Sequence, residues 1–218
     1  MDPGEGYVLY DTGVVTFLVR LSSDGEFISV FPAGIGILDP RDLVIDSNDN
    51  IYFAGVAIQG NNQNTFVSKL NEVGTQVWHH TFGGASNNTV PAKLAVDDNG
   101  TVIFFGYTGA SSLDLDPGAG TNVTTGFGGI GGIICKLDVN GSHLWSGPTG
   151  GNGADYITGV DVDAAGAVYA CGHFNNTADL DPFATTQNFT VNSTGYSDYF
   201  VTKYDAAGSV QFIHLGGQ

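Results

Sequence analysis

LVIDSNDNIYFAG at 43–55 and TFVSKLNEVGTQVW at 65–78 decide the fold. The pieces LVID, NIYFAG, FVSKL and TQVWHH are short, β-branched and aromatic, and turn-forming residues bound each of them. Four strands are therefore expected here, as two successive hairpins. No 11-residue window offers a convincing helical stripe.

The same grammar returns along the chain. The first half recurs as LAVDDNGTVIFFG (94–106) and VDVDAAGAVYACG (160–172). The second half recurs as TFLVRLSSDGEFISVF (16–31), IICKLDVNGSHLWSGPTGG (133–151) and YFVTKYDAAGSVQFIHLGG (199–217). The basic residues Arg20, Lys69, Lys136 and Lys203 are equivalent, spaced 49, 67 and 67. Gly55, Gly106 and Gly172 are equivalent too, spaced 51 and 66. Two registers that agree in this way indicate an internal repeat.

The turns carry their own signature. An acidic or amide residue precedes a glycine by three places at Asn71–Gly74, Asp97–Gly100, Asp138–Gly141, Asp163–Gly166 and Asp205–Gly208. Asp or Asn bonds its own turn, and glycine takes the positive φ that a tight hairpin needs. Many of the aspartates therefore have a structural task.

Four short strands in each unit suggest a β-propeller blade. The segment IDSNDNIYFAG…FVSKLNEVGTQVW resembles the NHL class of propeller repeat. It is still more similar to the bacterial β-propeller repeat called SBBP, including the Asp-Leu-Asp-Pro segments at 114–117 and 179–182. The resemblance covers about residues 14 to 217 and implies an all-β propeller of four-stranded antiparallel blades. From the axis outward the implied order is LVID, IYFAG, FVSKL, TQVWHH. It further implies a large secreted or surface-attached bacterial protein with a non-catalytic scaffold or adhesive role.

That order gives complete blades at 42–84, 93–147 and 159–217, while 14–32 supplies only the outer half of another. About three and a half blades do not close a ring unaided, and closure is what removes exposed sheet edges. Met1-Asp2-Pro3-Gly4 matches the Asp-Pro of 116–117 and 181–182, and Gly216-Gly217 stands where other repeats run into a further blade. The expectation is a portion of a longer propeller, or a subunit that completes its ring or filament with another copy through blade edges.

Composition narrows the partners. The 218 residues include 33 glycines and carry a formal charge of −16, with six basic residues against 22 acidic ones. Such a surface repels phosphate, so nucleic acid and anionic membranes are poor partners. Hydrophobic residues make up 42% of the chain, enough to fill a core, which argues against disorder. No apolar run approaches a membrane span, and the first residues lack the basic start and apolar stretch of a signal peptide. Strong acidity and scarce lysine suit an extracellular or cell-surface setting, with protein or carbohydrate as partners.

Candidate chemistry is sparse. In Leu113-Asp114-Leu115-Asp116-Pro117-Gly118 and Ala178-Asp179-Leu180-Asp181-Pro182, alternation puts the aspartates on one side and the apolar residues on the other. Paired carboxylates suit Ca2+, which takes six to eight oxygen ligands. The competing reading has leucine anchoring the loop, proline stiffening it and Asp114, Asp116, Asp179 and Asp181 capping turns. Neither segment follows EF-hand spacing.

The repeated basic residues have two readings: ligand contacts around a pore, or structural partners of aspartates or backbone carbonyls in their own or the adjacent blade. Trp78, Trp145 and Phe212, each four residues after a turn glycine, are expected to pack between blades rather than form a sugar-binding shelf. His79, His80, His143, His173 and His214 show no metal-binding pair. Cys135 and Cys171 are expected as two buried free thiols, with a cross-blade disulfide as the alternative. No GxSxG or P-loop is present, and GFGGIGG (126–132) lacks the lysine and helix of a phosphate loop. The readings that remain are a non-catalytic scaffold, and a propeller-type lyase or hydrolase with a histidine and carboxylates at the channel mouth.

Overall fold

A computed structural model describes residues 16–32, 37–59, 62–83, 89–110, 112–125, 131–151, 153–183, 190–193 and 197–216. The readings of Met1–Gly4, of most of GFGGIGG and of Gly217 lie outside these residues. Every regular element among them is a strand, and the sheets are antiparallel.

Strands β1 (Phe17–Leu21) and β2 (Phe27–Pro32) make a two-stranded sheet I. Strands β3 (Ile37–Ile45), β4 (Ile51–Gln59), β5 (Asn62–Leu70) and β6 (Gln76–Phe82) follow in chain order as sheet II. After β7 (Thr89–Val96) and β8 (Val102–Thr108) comes a small hairpin of β9 (Ser112–Asp114) and β10 (Val123–Thr125). Strands β11 (Gly131–Leu137) and β12 (His143–Gly151) then complete sheet III, ordered β7-β8-β11-β12. Strands β13 (Tyr156–Val162) and β14 (Val168–Phe174) begin sheet IV. A second small hairpin, β15 (Thr177–Asp179) and β16 (Thr190–Asn192), extends sheet III through β12. Strands β17 (Asp198–Tyr204) and β18 (Val210–Gly216) finish sheet IV.

The order in sheets II, III and IV is the one that the family resemblance implies. The long connections differ from expectation, because each contains a hairpin of its own. The first strand of each sheet also starts earlier than expected, at Ile37, Thr89 and Tyr156. Each contains a bulge, at Pro40/Asp42, Pro91/Lys93 and Ile157/Gly159, which breaks the alternation that would have revealed the strand. The repeated glycines face these bulges: Gly55 pairs with Pro40, Gly106 with Pro91 and Gly172 with Ile157. A Cβ on Gly106 would stand 2.7 Å from the Val90 carbonyl, so the bulge demands glycine there.

The turns follow one plan. Asp97 Oδ1 accepts from the amides of Asn99 and Thr101, and the Gly100 amide donates to the Asp97 carbonyl. Asn71, Asp138, Asp163 and Asp205 repeat these bonds, and the glycines have φ between 76° and 91°. The turn at Asp46 escaped the sequence pattern because Asp49, not glycine, takes the left-handed position at φ 60°.

The sheets stack face to face. Tyr52, Val67, Trp78 and Phe82 of sheet II meet Leu94, Val102, Phe104 and Cys135 of sheet III in one buried cluster. Ile103, Phe105, Ile134 and Trp145 of sheet III meet Val168, Ala170, Phe200 and Tyr204 of sheet IV in another. Each such side chain contributes about 1.5–3 kcal/mol relative to exposure. A smaller cluster of Phe53, Phe66 and Leu70 takes Leu18 of sheet I against it. Strand β7 touches both β3 and β13, so the first strands of the three sheets are neighbours. No β-ladder joins sheet IV to sheet I among the described residues.

Candidate functional site

Three of the four repeated basic residues, Arg20, Lys69 and Lys136, reach out of their own sheet into the next one. Lys69 Nζ donates to the Val139 carbonyl at 3.3 Å, and Trp78 Nε1 donates to the same oxygen at 3.2 Å. One sheet further on, Lys136 Nζ and Trp145 Nε1 converge on the Ala206 carbonyl at 3.1 and 3.0 Å. Arg20 of sheet I donates to the Glu72 carbonyl at 3.3 Å. Glu72, Val139 and Ala206 each follow the residue that opens the second turn of their sheet.

A second contact falls on the first turn. Lys136 Nζ donates to Gly166 O at 2.9 Å, Tyr52 OH donates to Gly100 O at 3.4 Å, and Arg20 lies 3.6 Å from the Asp49 carboxylate. Burial pushes the Lys69 and Lys136 ammonium groups below their ordinary pKa. For Lys69 and Lys136 the partners are carbonyls of the adjacent sheet rather than aspartates. These two residues hold sheets together.

Lys203 differs because its partners lie within its own sheet. It bonds Tyr169 OH at 2.5 Å and lies 3.6 Å from Asp163 in its own sheet. The Tyr169 bond, then the Tyr169 and Asp163 charges, hold its pKa above the ordinary lysine value. Trp78 and Trp145 are 8% and 7% exposed, as expected of packing residues, but the equivalent Phe212 is 44% exposed.

The Asp-Leu-Asp segments cap turns. Asp114 Oδ1 accepts from the Asp116 and Asn122 amides at 3.0 and 2.8 Å, and Asp116 Oδ1 accepts from Gly118 at 2.7 Å. Asp179 Oδ1 accepts from the Asp181 amide and Asp181 Oδ1 from the Phe183 amide, at 3.0 and 2.9 Å. Burial raises the Asp179 carboxyl pKa. Leu113, Leu115, Ala178 and Leu180 are buried in the inter-sheet clusters, as alternation requires. No group of three or more His, Cys, Asp or Glu side chains converges among the described residues.

The cysteines need a correction. Both are free thiols, and Cys135 is buried, but Cys171 is exposed. It occupies the sheet IV position that buried Ala54 holds in sheet II, on a face that no sheet covers among the described residues.

Sequence reading missed one cluster. Asn122 Nδ2 donates to Ser146 Oγ at 2.8 Å and to His143 Nε2 at 3.2 Å, so that ring nitrogen accepts, and the Ser146 hydroxyl donates to it at 2.8 Å. These groups line a cleft of about 490 Å3 whose walls include Trp145, Pro182 and Phe183. That volume falls in the ~300–1,000 Å3 range of ligand clefts. His143 and Ser146 share a strand, but Asn122 comes from the β9–β10 hairpin, which no sequence spacing announces. The cleft offers a ligand an amide, a hydroxyl and an imidazole beside aromatic walls.

No family model matches this chain, and no curated protein matches it.

Proposed function

We propose that the chain is a segment of a β-propeller built from four-stranded blades, acting as a non-catalytic binding or structural module at a bacterial cell surface. The observation that carries this reading is the recurring grip of a basic residue on the next sheet's turn carbonyl, from Arg20, Lys69 and Lys136 in turn. Blades arranged around an axis would repeat one contact in this way, and the neighbouring first strands β3, β7 and β13 fit the same arrangement. Polar chemistry that an enzyme would aim at a substrate is here directed at turns and carbonyls. The acidic surface suits an extracellular setting, and the Asn122–His143–Ser146 cleft is where a polar ligand, such as a carbohydrate, would sit.

A hydrolase is the second reading, favoured by the Ser146–His143 hydrogen bond, which has the polarity of a nucleophile and its base. Glycan-array binding and turnover assays on polysaccharides and esters separate the two. Binding without turnover, weakened by Asn122→Ala, supports the module. Turnover abolished by Ser146→Ala would overturn it.

A further inference from the structure

The inter-sheet grip has two halves, and among the described residues one copy of each stands without its counterpart. The gripping half is a basic residue and an aromatic residue on one face of a sheet. The gripped half is a second turn whose left-handed glycine packs under the preceding sheet. A Cβ on Gly141 would stand 2.9 Å from Trp78, and one on Gly208 would stand 2.9 Å from Trp145. Phe31 of sheet I covers Gly74 in the same way.

At one end, the gripped half is open. The turn at Ser22–Gly25 has the bonds of the others, with the Gly25 amide donating to Ser22 O at 3.0 Å and Gly25 at φ 83°. Among the described residues, a Cβ on Gly25 would meet nothing within 4 Å. Ser23 stands where Glu72, Val139 and Ala206 stand in the gripped turns.

At the other end, the gripping half is open. Tyr169, Cys171, Val201, Lys203 and Phe212 occupy the positions of Tyr52, Ala54, Val67, Lys69 and Trp78. All five are buried in sheet II, whereas in sheet IV none is. Lys203 turns back on Tyr169 and Asp163, with no carbonyl of another sheet bonded to it among the described residues.

We infer that a second copy of this chain docks head to tail, its Ser22–Gly25 turn seated under Phe212 and its Ser23 carbonyl accepting from Lys203. The occupant is argued from continuity, since the contact is the one already made three times inside the chain. Asp24 in the incoming turn adds a carboxylate opposite a cation. Head-to-tail contacts form open series or close into a ring, and two of them close a dimer. The inference goes beyond the scaffold reading, which a monomeric chain would leave intact.

Sedimentation of the whole chain over a wide concentration range tests it, in salt sufficient to screen the charge of −16 on each copy. Maleimide labelling of Cys171 is followed in parallel. The expected result is concentration-dependent association that protects Cys171. Lys203→Glu with Phe212→Ser, or Asp24→Lys alone, should weaken association at least about tenfold and restore labelling. Circular dichroism checks that these exposed-site variants fold. A monomer at every concentration with Cys171 reactive throughout would overturn the proposal. So would association that ignores both sets of substitutions.

Discussion

Lys136 Nζ lies 3.1 Å from the carbonyl oxygen of Ala206, which belongs to the next sheet, and Trp145 Nε1 lies 3.0 Å from the same oxygen. A cation and an indole thus share one acceptor in an otherwise apolar interface. The arrangement gives two buried side-chain donors one acceptor, which is how a lysine comes to sit 4% exposed without an aspartate in hydrogen-bond reach.

The glycines opposite the bulges give a first test. Gly106→Ala should cost about 1–3 kcal/mol, because the added Cβ meets the Val90 carbonyl at 2.7 Å. Gly109→Ala, where a Cβ meets nothing within 4 Å, should stay within about 0.5 kcal/mol. Urea titrations of the two variants compare them. Equal costs would mean the bulge yields freely.

Much of this was legible in the sequence. The Asp-x-x-Gly turns and the burial of Trp78 and Trp145 follow from local pattern, and the strand order from the family resemblance. The early starts of β3, β7 and β13 did not, because a bulge shifts the inward face by one residue. The long connections hid the β9–β10 and β15–β16 hairpins, since three-residue strands give no periodicity. The Asn122–His143–Ser146 cluster depends on where such a hairpin lands, which spacing does not encode. Cys171 and Phe212 are exposed because no described sheet covers their face, which their own strands do not reveal.

The cysteines should react very differently. Cys171 is exposed, whereas Cys135 is buried with its thiol pKa raised by burial and, secondarily, by Asp116. In dilute protein, iodoacetamide should modify Cys171 quickly and Cys135 only after denaturant is added. Mass spectrometry of the native, labelled chain shows which. Equal labelling would contradict the buried position of Cys135.

Stability should fall in acid partly through Asp46. Burial raises its pKa, but bonds from Asn50, Asn48 and Tyr52 outweigh this and leave it below 3.8. A depressed carboxyl contributes stability above its unfolded pKa and loses it as pH falls through the folded value. The difference in melting temperature between the natural chain and Asp46→Asn should therefore be widest near neutrality and close below about pH 4. A difference that stays constant into strong acid would remove Asp46 from the acid response.

Calcium separates the two roles of the loop aspartates. If Asp114, Asp116, Asp179 and Asp181 only cap turns, saturating Ca2+ and chelator should give the same melting curve. A rise in melting temperature with Ca2+, lost in Asp114→Asn and Asp179→Asn, would establish ligation by mass action.

The central claim is that the basic residues act as ties between successive sheets, and paired substitution of two lysines at the same repeat position tests it most directly. Lys136 donates to carbonyls of both turns of sheet IV, whereas Lys203 bonds only Tyr169 and Asp163 of its own sheet among the described residues. In dilute, monomeric protein, Lys136→Met should cost about 1–3 kcal/mol, because the buried Gly166 carbonyl loses its donor. Lys203→Met removes only the partly exposed contacts to Tyr169 and Asp163 and should move the unfolding midpoint far less. Equal destabilisation by the two substitutions, or none from Lys136→Met, would contradict the claim.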